Sequence, residues 1–179
     1  MPILGAILAG GQSSRFGSDK CELVIGGRRL IDHTIGALEG QVDTLVICGR
    51  SESGYLSLAD RPETNLGPLG GLNAALRYAA DNAFDAVLSA PVDVIPLPDD
   101  LDQRLGCPRL AHLKTQHAVA SWPSSLAAAL EDHLARGKRS VMSWIEACGS
   151  PAVDDGDLGL FNLNDPTKLD EIARRLGSG

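Results

Sequence analysis

Short continuous apolar runs alternate along the chain with longer stretches in which apolar residues return every three or four positions. Residues 3–8, 44–48 and 86–90 are of the first kind, with the length and content of strands buried on both faces. Residues 55–59 form a shorter strand candidate. Ile31, Ile35 and Leu38 follow an i, i+4, i+7 spacing and predict a helix of about ten residues after the Gly26-Gly27 turn. Leu72, Ala75, Leu76 and Ala79 give a similar stripe to a helix opened by Gly67-Pro68, where the missing proline N–H costs little.

The second half is patterned less regularly. Residues 109–113 and 116–122 predict two strands joined by a tight turn at Lys114-Thr115. Leu126, Leu130 and Leu134 predict a helix over residues 124–136, with Gly137 as its stop. Val141, Ile145 and Cys148 mark another. Phe161 and Leu163 alternate with Asn162 and Asn164 in the manner of a strand, and Asp165 before Pro166 can cap a last helix with Leu169, Ile172, Ala173 and Leu176 on its stripe. Strands alternating with helices imply one α/β domain over residues 1–179, three-layered and Rossmann-like, its mostly parallel sheet flanked by helices.

Composition narrows the function classes. A chain of 179 residues buries about 70% of its unfolded surface, enough for a self-sufficient core. A net charge of −7 without any basic stretch argues against nucleic acid as a partner. Cys21, Cys48, Cys107 and Cys148 form no C-x-x-C pair and read as reduced thiols rather than a zinc site. The apolar N-terminus lacks the basic segment of a signal peptide, and no other run approaches the length of a membrane span. A soluble cytoplasmic protein without a membrane partner is expected.

Chemistry concentrates in residues 8–20, Leu8-Ala9-Gly10-Gly11-Gln12-Ser13-Ser14-Arg15-Phe16-Gly17-Ser18-Asp19-Lys20. Glycines after a strand let backbone lie flat against a ligand, exposed N–H groups suit anions, and Arg15 and Lys20 add two cations. The stretch reads as a polyphosphate loop, the alternative being a plain connection. Its spacing is neither that of a P-loop nor that of a dinucleotide fingerprint, because Gly10 and Gly11 are adjacent and Lys20 stands three beyond Gly17. Asp93 falls just past a strand that runs into Pro91, at the edge where open α/β sheets bind ligands, and one such carboxylate with phosphates and water is enough to hold Mg²⁺. It reads equally as a turn or capping residue. Asp60 before Arg61-Pro62 has the look of a turn aspartate, and the Gly67 to Gly71 helix start offers unpartnered N–H groups. Asp99, Asp100 and Asp102 read as helix-start charges. Trp122 and Trp144 read as core or subunit-surface aromatics, and His117 as structural rather than pocket-lining.

The L-A-G-G-x-S-x-R-x-G-x-D-K pattern resembles the signature loop of nucleotidyltransferases with a glycosyltransferase-A-like fold, the nucleotide-diphospho-sugar transferase type. The nearest likeness is to the molybdenum cofactor guanylyltransferases, whose cytidylyl relatives carry L-A-A-G at this position. An aspartate seven residues before G-P-L-x-G, here Asp60 before Gly67, resembles that family's nucleoside-binding aspartate, and P-x-D at Pro91 to Asp93 its metal-binding one. The resemblance implies transfer of GMP from Mg²⁺-bound GTP to the phosphate of molybdenum-molybdopterin, releasing pyrophosphate. Arg15, Lys20 and Asp93 would be catalytic. Leu8, Ala9, Gly10, Gly11, Lys20, Asp60, Gly67, Gly71 and Asp93 would hold the nucleotide, and Asp93 the Mg²⁺. Arg139, in a basic G-x-R-x-V turn, and Asn162 and Asn164, in F-x-N-x-N-x-P, would face the pterin substrate. Cofactor-delivery or molybdoenzyme chaperone proteins would be its partners. The chain departs from the family at Cys48-Gly49-Arg50, where an asparagine often contacts the nucleotide. A cytidylyl or sugar-phosphate nucleotidyltransferase of the same fold, and a non-catalytic nucleotide-binding adaptor for pterin delivery, are the alternatives.

Overall fold

The computed structural model describes residues 1–10, 19–163 and 174. Its elements run β1 Ile3–Leu8, β2 Val24–Ile25, β3 Arg28–Arg29, α1 Leu30–Leu38, β4 Thr44–Cys48, β5 Leu56–Leu58, α2 Pro68–Asp81, β6 Ala86–Pro91, β7 Val94–Ile95, α3 Leu101–Leu105, β8 Ala111–Leu113, β9 Ala120–Pro123, α4 Ala127–Ala135, α5 Val141–Cys148, β10 Ala152–Val153 and β11 Phe161–Asn162. The central sheet has seven strands in the order β10-β8-β9-β6-β1-β4-β5. Its pairings are parallel except those of β9, which runs antiparallel to both β6 and β8. The three-layer, mostly parallel reading holds.

The periodicities state which faces are buried. Ile31 and Leu38 of α1 join Ile7, Ile47 and Leu88 in one buried cluster. Leu72, Ala75, Leu76 and Ala79 of α2 join Leu4, Val46, Val87 and Trp122 in a second, on the opposite face of the same strands. Adjacent residues of β1, β4 and β6 thus serve different clusters, as the alternation of side chains along a strand requires. Trp122 and Trp144 lie in the core, their ring centroids 6.4 Å apart, and Trp122 Nε1 donates to Ser89 Oγ at 2.9 Å. That bond gives the buried indole N–H the partner it needs.

Strands are shorter than the pattern suggests where side chains capture the backbone. The strand expected over residues 116–122 begins only at Ala120, and that over 109–113 only at Ala111. Leu113 N–H bonds Val119 O at 2.9 Å and Val119 N–H bonds Gln116 O at 2.8 Å, so residues 114–119 are spent in the turn. Buried Asp155 fixes that turn by accepting from Thr115 Oγ1 at 2.7 Å. The helix expected over 124–136 starts as a single 3-10 turn, Ser124–Leu126, before α4, and the strand over 55–59 is trimmed to Leu56–Leu58. The last helix expected from the Leu169 stripe lies outside the described residues.

Register places the site. Leu8, the final residue of β1, is paired with Cys48 at the end of β4 and with Pro91 at the end of β6. Three carboxyl ends therefore finish at one edge, with β4 on one side of β1 and β6 on the other, the arrangement that opens a crevice in α/β sheets.

Candidate functional site

Two adjoining cavities open at that edge, and Gly10 lines both. The smaller, about 170 Å³, is bounded by Leu8, Ala9, Asp19, Lys20, Pro68 and Asp93 among others. The larger, about 490 Å³, is bounded by Gly49, Arg50, Ser57, Asp60, Asn65 and Gly67 among others.

In the smaller cavity Lys20 Nζ donates to Asp93 Oδ2 at 3.1 Å, joining residues 73 positions apart. Both side chains are mostly buried, 18% and 19% exposed. Each is aimed by its own element. Asp93 follows Pro91 and Val92, whose N–H bonds Leu8 O at 3.2 Å, and its carbonyl accepts from Leu163 N–H at 2.8 Å, so it is pinned from two sides. Lys20 opens a short 3-10 turn, Lys20–Glu22, capped by Asp19 Oδ1 accepting from Cys21 N–H at 3.0 Å. Cys21 also lines this cavity, but burial pushes its thiol up to about 11, against the pull of Arg50, so it stays protonated near neutrality and is no nucleophile.

The larger cavity is walled by backbone rather than by charge. A Cβ built on Gly49, whose φ is +86°, would lie 2.4 Å from Gly10 Cα, so the chain ends of β1 and β4 touch as only glycines allow. A Cβ on Gly70 would come within 3.1 Å of Asp60, and one on Gly71 within 2.9 Å of Cys48 Cβ. Asp60 is thus packed against the start of α2, and Arg61 N–H bonds Gly70 O at 3.1 Å. Burial in this cradle raises the Asp60 carboxyl above its ordinary range. A carboxylate held half dry beside exposed backbone is a strong acceptor for directional N–H or O–H donors.

The structure therefore brings together Leu8, Ala9, Gly10, Lys20, Asp60, Gly67 and Asp93, with Gly71 behind Asp60. Asn162 sits one strand away, paired in register with Val94 and donating to Gln116 Oε1 at 3.5 Å, and lines neither cavity. Arg139 is an exposed side chain bonded to Glu63 Oε1 at 3.2 Å, on the loop beyond Asp60. Gly11, Arg15 and Asn164 lie outside the described residues. Sequence reasoning missed Arg50 and the Gly10–Gly49 contact. The signal for both was the Cys48-Gly49-Arg50 departure itself, since a glycine directly after a buried strand marks a close backbone approach.

Among the described residues no three His, Cys, Asp or Glu side chains converge as a metal cage. Asp93 alone, at the rim of a cavity with a cation beside it, suits a hard metal shared with substrate phosphates and water rather than one held wholly by protein.

Residues 5–151 match the sequence model of the MobA-like NTP transferase domain. The molybdenum cofactor guanylyltransferase of Acidiphilium cryptum is 36% identical over 178 residues, which cover 92% of this chain and 90% of that protein. The crystal structure of molybdopterin-guanine dinucleotide biosynthesis protein A from Archaeoglobus fulgidus superposes with a TM-score of 0.73 at 22% identity, covering 98% of this chain and 100% of that one. The 2-C-methyl-D-erythritol 4-phosphate cytidylyltransferase of Thermus thermophilus superposes with a TM-score of 0.69 at 13% identity, covering 98% of each. At those identities the two structures bear on the fold alone.

Proposed function

Because the chain belongs to the MobA-like NTP transferase family and is a nucleotidyltransferase, we propose that it moves GMP from Mg²⁺-bound GTP to the phosphate of molybdenum-molybdopterin in the cytoplasm. The observation that carries this reading is the pair of adjoining cavities, one holding Lys20 against Asp93, the other holding Asp60 in a cradle of backbone. A polyanion and a nucleoside have separate, adjacent places, joined at Gly10.

In this reading an oxygen of the pterin phosphate bonds to the α-phosphorus of GTP while the bond from that phosphorus to the β-bridging oxygen breaks, and pyrophosphate leaves. The acceptor oxygen is already ionised near neutral pH, so no protein base is required. Asp93 would hold Mg²⁺, which supplies charge neutralisation across the phosphate oxygens. Lys20 binds the β,γ-phosphates and offsets the charge that accumulates on the departing pyrophosphate. Asp60 and the Leu8-Ala9-Gly10 backbone orient the nucleoside, so most of the rate comes from alignment of two anions that repel each other. Gly11 and Arg15 are proposed to complete the phosphate loop, and Asn162, Asn164 and Arg139 to face the pterin. Delivery and molybdoenzyme chaperone proteins are the proposed partners.

The test pairs binding with product. Mg·GTP at 100 times its dissociation constant is expected to stabilise the protein by about 2.7 kcal/mol, and Mg·CTP at the same concentration by less. Incubation with Mg·GTP and molybdenum-loaded molybdopterin is expected to yield the guanine dinucleotide and pyrophosphate. Stronger stabilisation by CTP, or binding of GTP without any dinucleotide formed, overturns the proposal in favour of a cytidylyl enzyme or a non-catalytic adaptor.

A further inference from the structure

Arg50 stands on the wall of the nucleoside cavity and sends its guanidinium to the turn that carries Lys20. Its Nη1 donates to Asp19 Oδ2 at 2.7 Å and its Nη2 to Glu22 Oε1 at 2.8 Å. These two carboxylates bracket the Lys20–Glu22 turn, Asp19 as its cap and Glu22 as its last residue. A planar fork with fixed N–H directions can span both ends of one turn, whereas an ammonium is a single point of charge. Glu52, only 10% exposed, lies 3.6 Å from Nη2 and is itself bonded by Arg29 Nη2 at 2.9 Å, so the fork is linked through Glu52 to Arg29 at the end of β3 as well.

The backbone beneath Arg50 belongs to the other cavity. Its neighbour Gly49 abuts Gly10 and donates its N–H to Leu58 O at 2.9 Å, so residue 50 sits where the nucleoside wall is most tightly fixed. The carboxylate partners Asp19 and Glu22 are about half exposed, at 55% and 48%, and ion pairs of that kind add little to stability. What the arrangement supplies is geometry: one guanidinium ties the cap of the Lys20–Glu22 turn to its last residue.

We propose that Arg50 is a positioning residue that couples the nucleoside cavity to the triphosphate-binding lysine, so that the wall holding the nucleoside also aims Lys20. This rests on the nucleotide reading above. Arg50 takes no part in contacting the base; its effect passes through Asp19, Glu22 and the turn between them.

Calorimetric titration of Mg·GTP and of GMP into the intact protein tests this, because GMP lacks the phosphates that Lys20 meets. Arg50→Met is expected to weaken GTP about tenfold while shifting GMP by less than about twofold, and Arg50→Lys to fall between, since it keeps charge without the fork. Should Arg50→Met fail to fold, Glu22→Lys carries the test: it lies outside both cavities, expels the guanidinium by like charge, and is expected to weaken GTP about fivefold with GMP unchanged. Equal losses for GTP and GMP mean that Arg50 touches the nucleoside directly or merely holds the fold, and overturn the inference. Unchanged GTP affinity in Arg50→Met or Glu22→Lys overturns it too. A wild-type protein that binds neither nucleotide overturns the nucleotide reading itself, and this inference with it.

Discussion

The two cavities are built by different means. Around Asp60 the wall is steric: Gly49 against Gly10 and Gly71 against Cys48, too close for a Cβ, and Gly70 against Asp60, where a Cβ would be tight. Around Asp93 the wall is electrostatic: among the described residues it is the ion pair of Lys20 with Asp93, between side chains that keep some exposure to solvent. A steric wall is preformed and tolerates no change of shape, while an ion pair can be exchanged for ligand contacts without moving the backbone. That division suits an enzyme that must recognise a nucleoside rigidly yet release a charged product.

The charged cavity breaks most completely. Asp93→Ala and Lys20→Ala are each expected to lower kcat by at least about 10³-fold, the scale for losing a group aimed at developing charge, with circular dichroism unchanged. Steady-state turnover of either variant at a wild-type rate would remove these side chains from the chemistry.

The steric cavity breaks through stability instead. Gly49→Ala forces a Cβ to within 2.4 Å of Gly10 Cα at a φ of +86°, and is expected to cost about 2–4 kcal/mol in denaturant unfolding, with nucleotide affinity lost in step. Gly26→Ala, whose added Cβ meets nothing within 4 Å, carries the backbone strain of a positive φ without the clash. Its cost is expected to be smaller by about 1–2 kcal/mol. Equal costs for the two would show that backbone conformation, not close approach, shapes the wall.

The asymmetry also explains what the amino-acid sequence disclosed. Strands β1, β4 and β6 and the stripes of α1 and α2 follow from pattern alone, because both faces of those strands, and one face of each helix, meet core. Lys20 and Asp93 stand out as charges in a glycine loop and at a strand end, and the roles proposed for them rest on a motif likeness, but nothing in 73 residues of separation states that they touch. The turn at Lys114-Thr115 was legible, but its extension to residue 119 was not, for a related reason: buried Asp155, forty positions away, fixes it. The Gly49 contact was legible as an anomaly and not as an explanation, since its cause is the register of two strands remote in sequence.

Asp60 joins the two halves of the comparison, a charge inside the steric wall. Its raised carboxyl means that between the ordinary carboxylate range and its own higher value the folded protein holds a proton that the unfolded chain has lost, so stability falls as pH rises through that window. Asp60→Asn removes this decline, and the variant is expected to match or exceed wild-type stability at pH 7. Its nucleotide affinity is expected to drop about tenfold or more, the scale of a hydrogen bond to a charged group. For the wild type, affinity should fall as acid protonates Asp60, at a pH above the ordinary carboxylate range. Pairing thermal melts with titrations across pH checks both signs, and a variant less stable at pH 7 would mean that the carboxylate is satisfied by the fold rather than kept for a ligand.

The smallest effect probes whether the ion pair is a true partner or a resting place. Lys20 and Asp93 are neither fully buried nor exposed, so their coupling in the nucleotide-free protein is expected to be about 1 kcal/mol, between the values for surface and interior pairs. Urea unfolding of Lys20→Ala, Asp93→Ala and the double variant gives that coupling directly, as the shortfall of the double cost from the sum of the singles. A value near 1 kcal/mol means that ligand phosphates must compete with Asp93 for the lysine, and that part of the binding energy goes into separating the pair. A value near zero means that Asp93 does not hold the lysine back, and that ligand phosphates need not compete with that carboxylate for it.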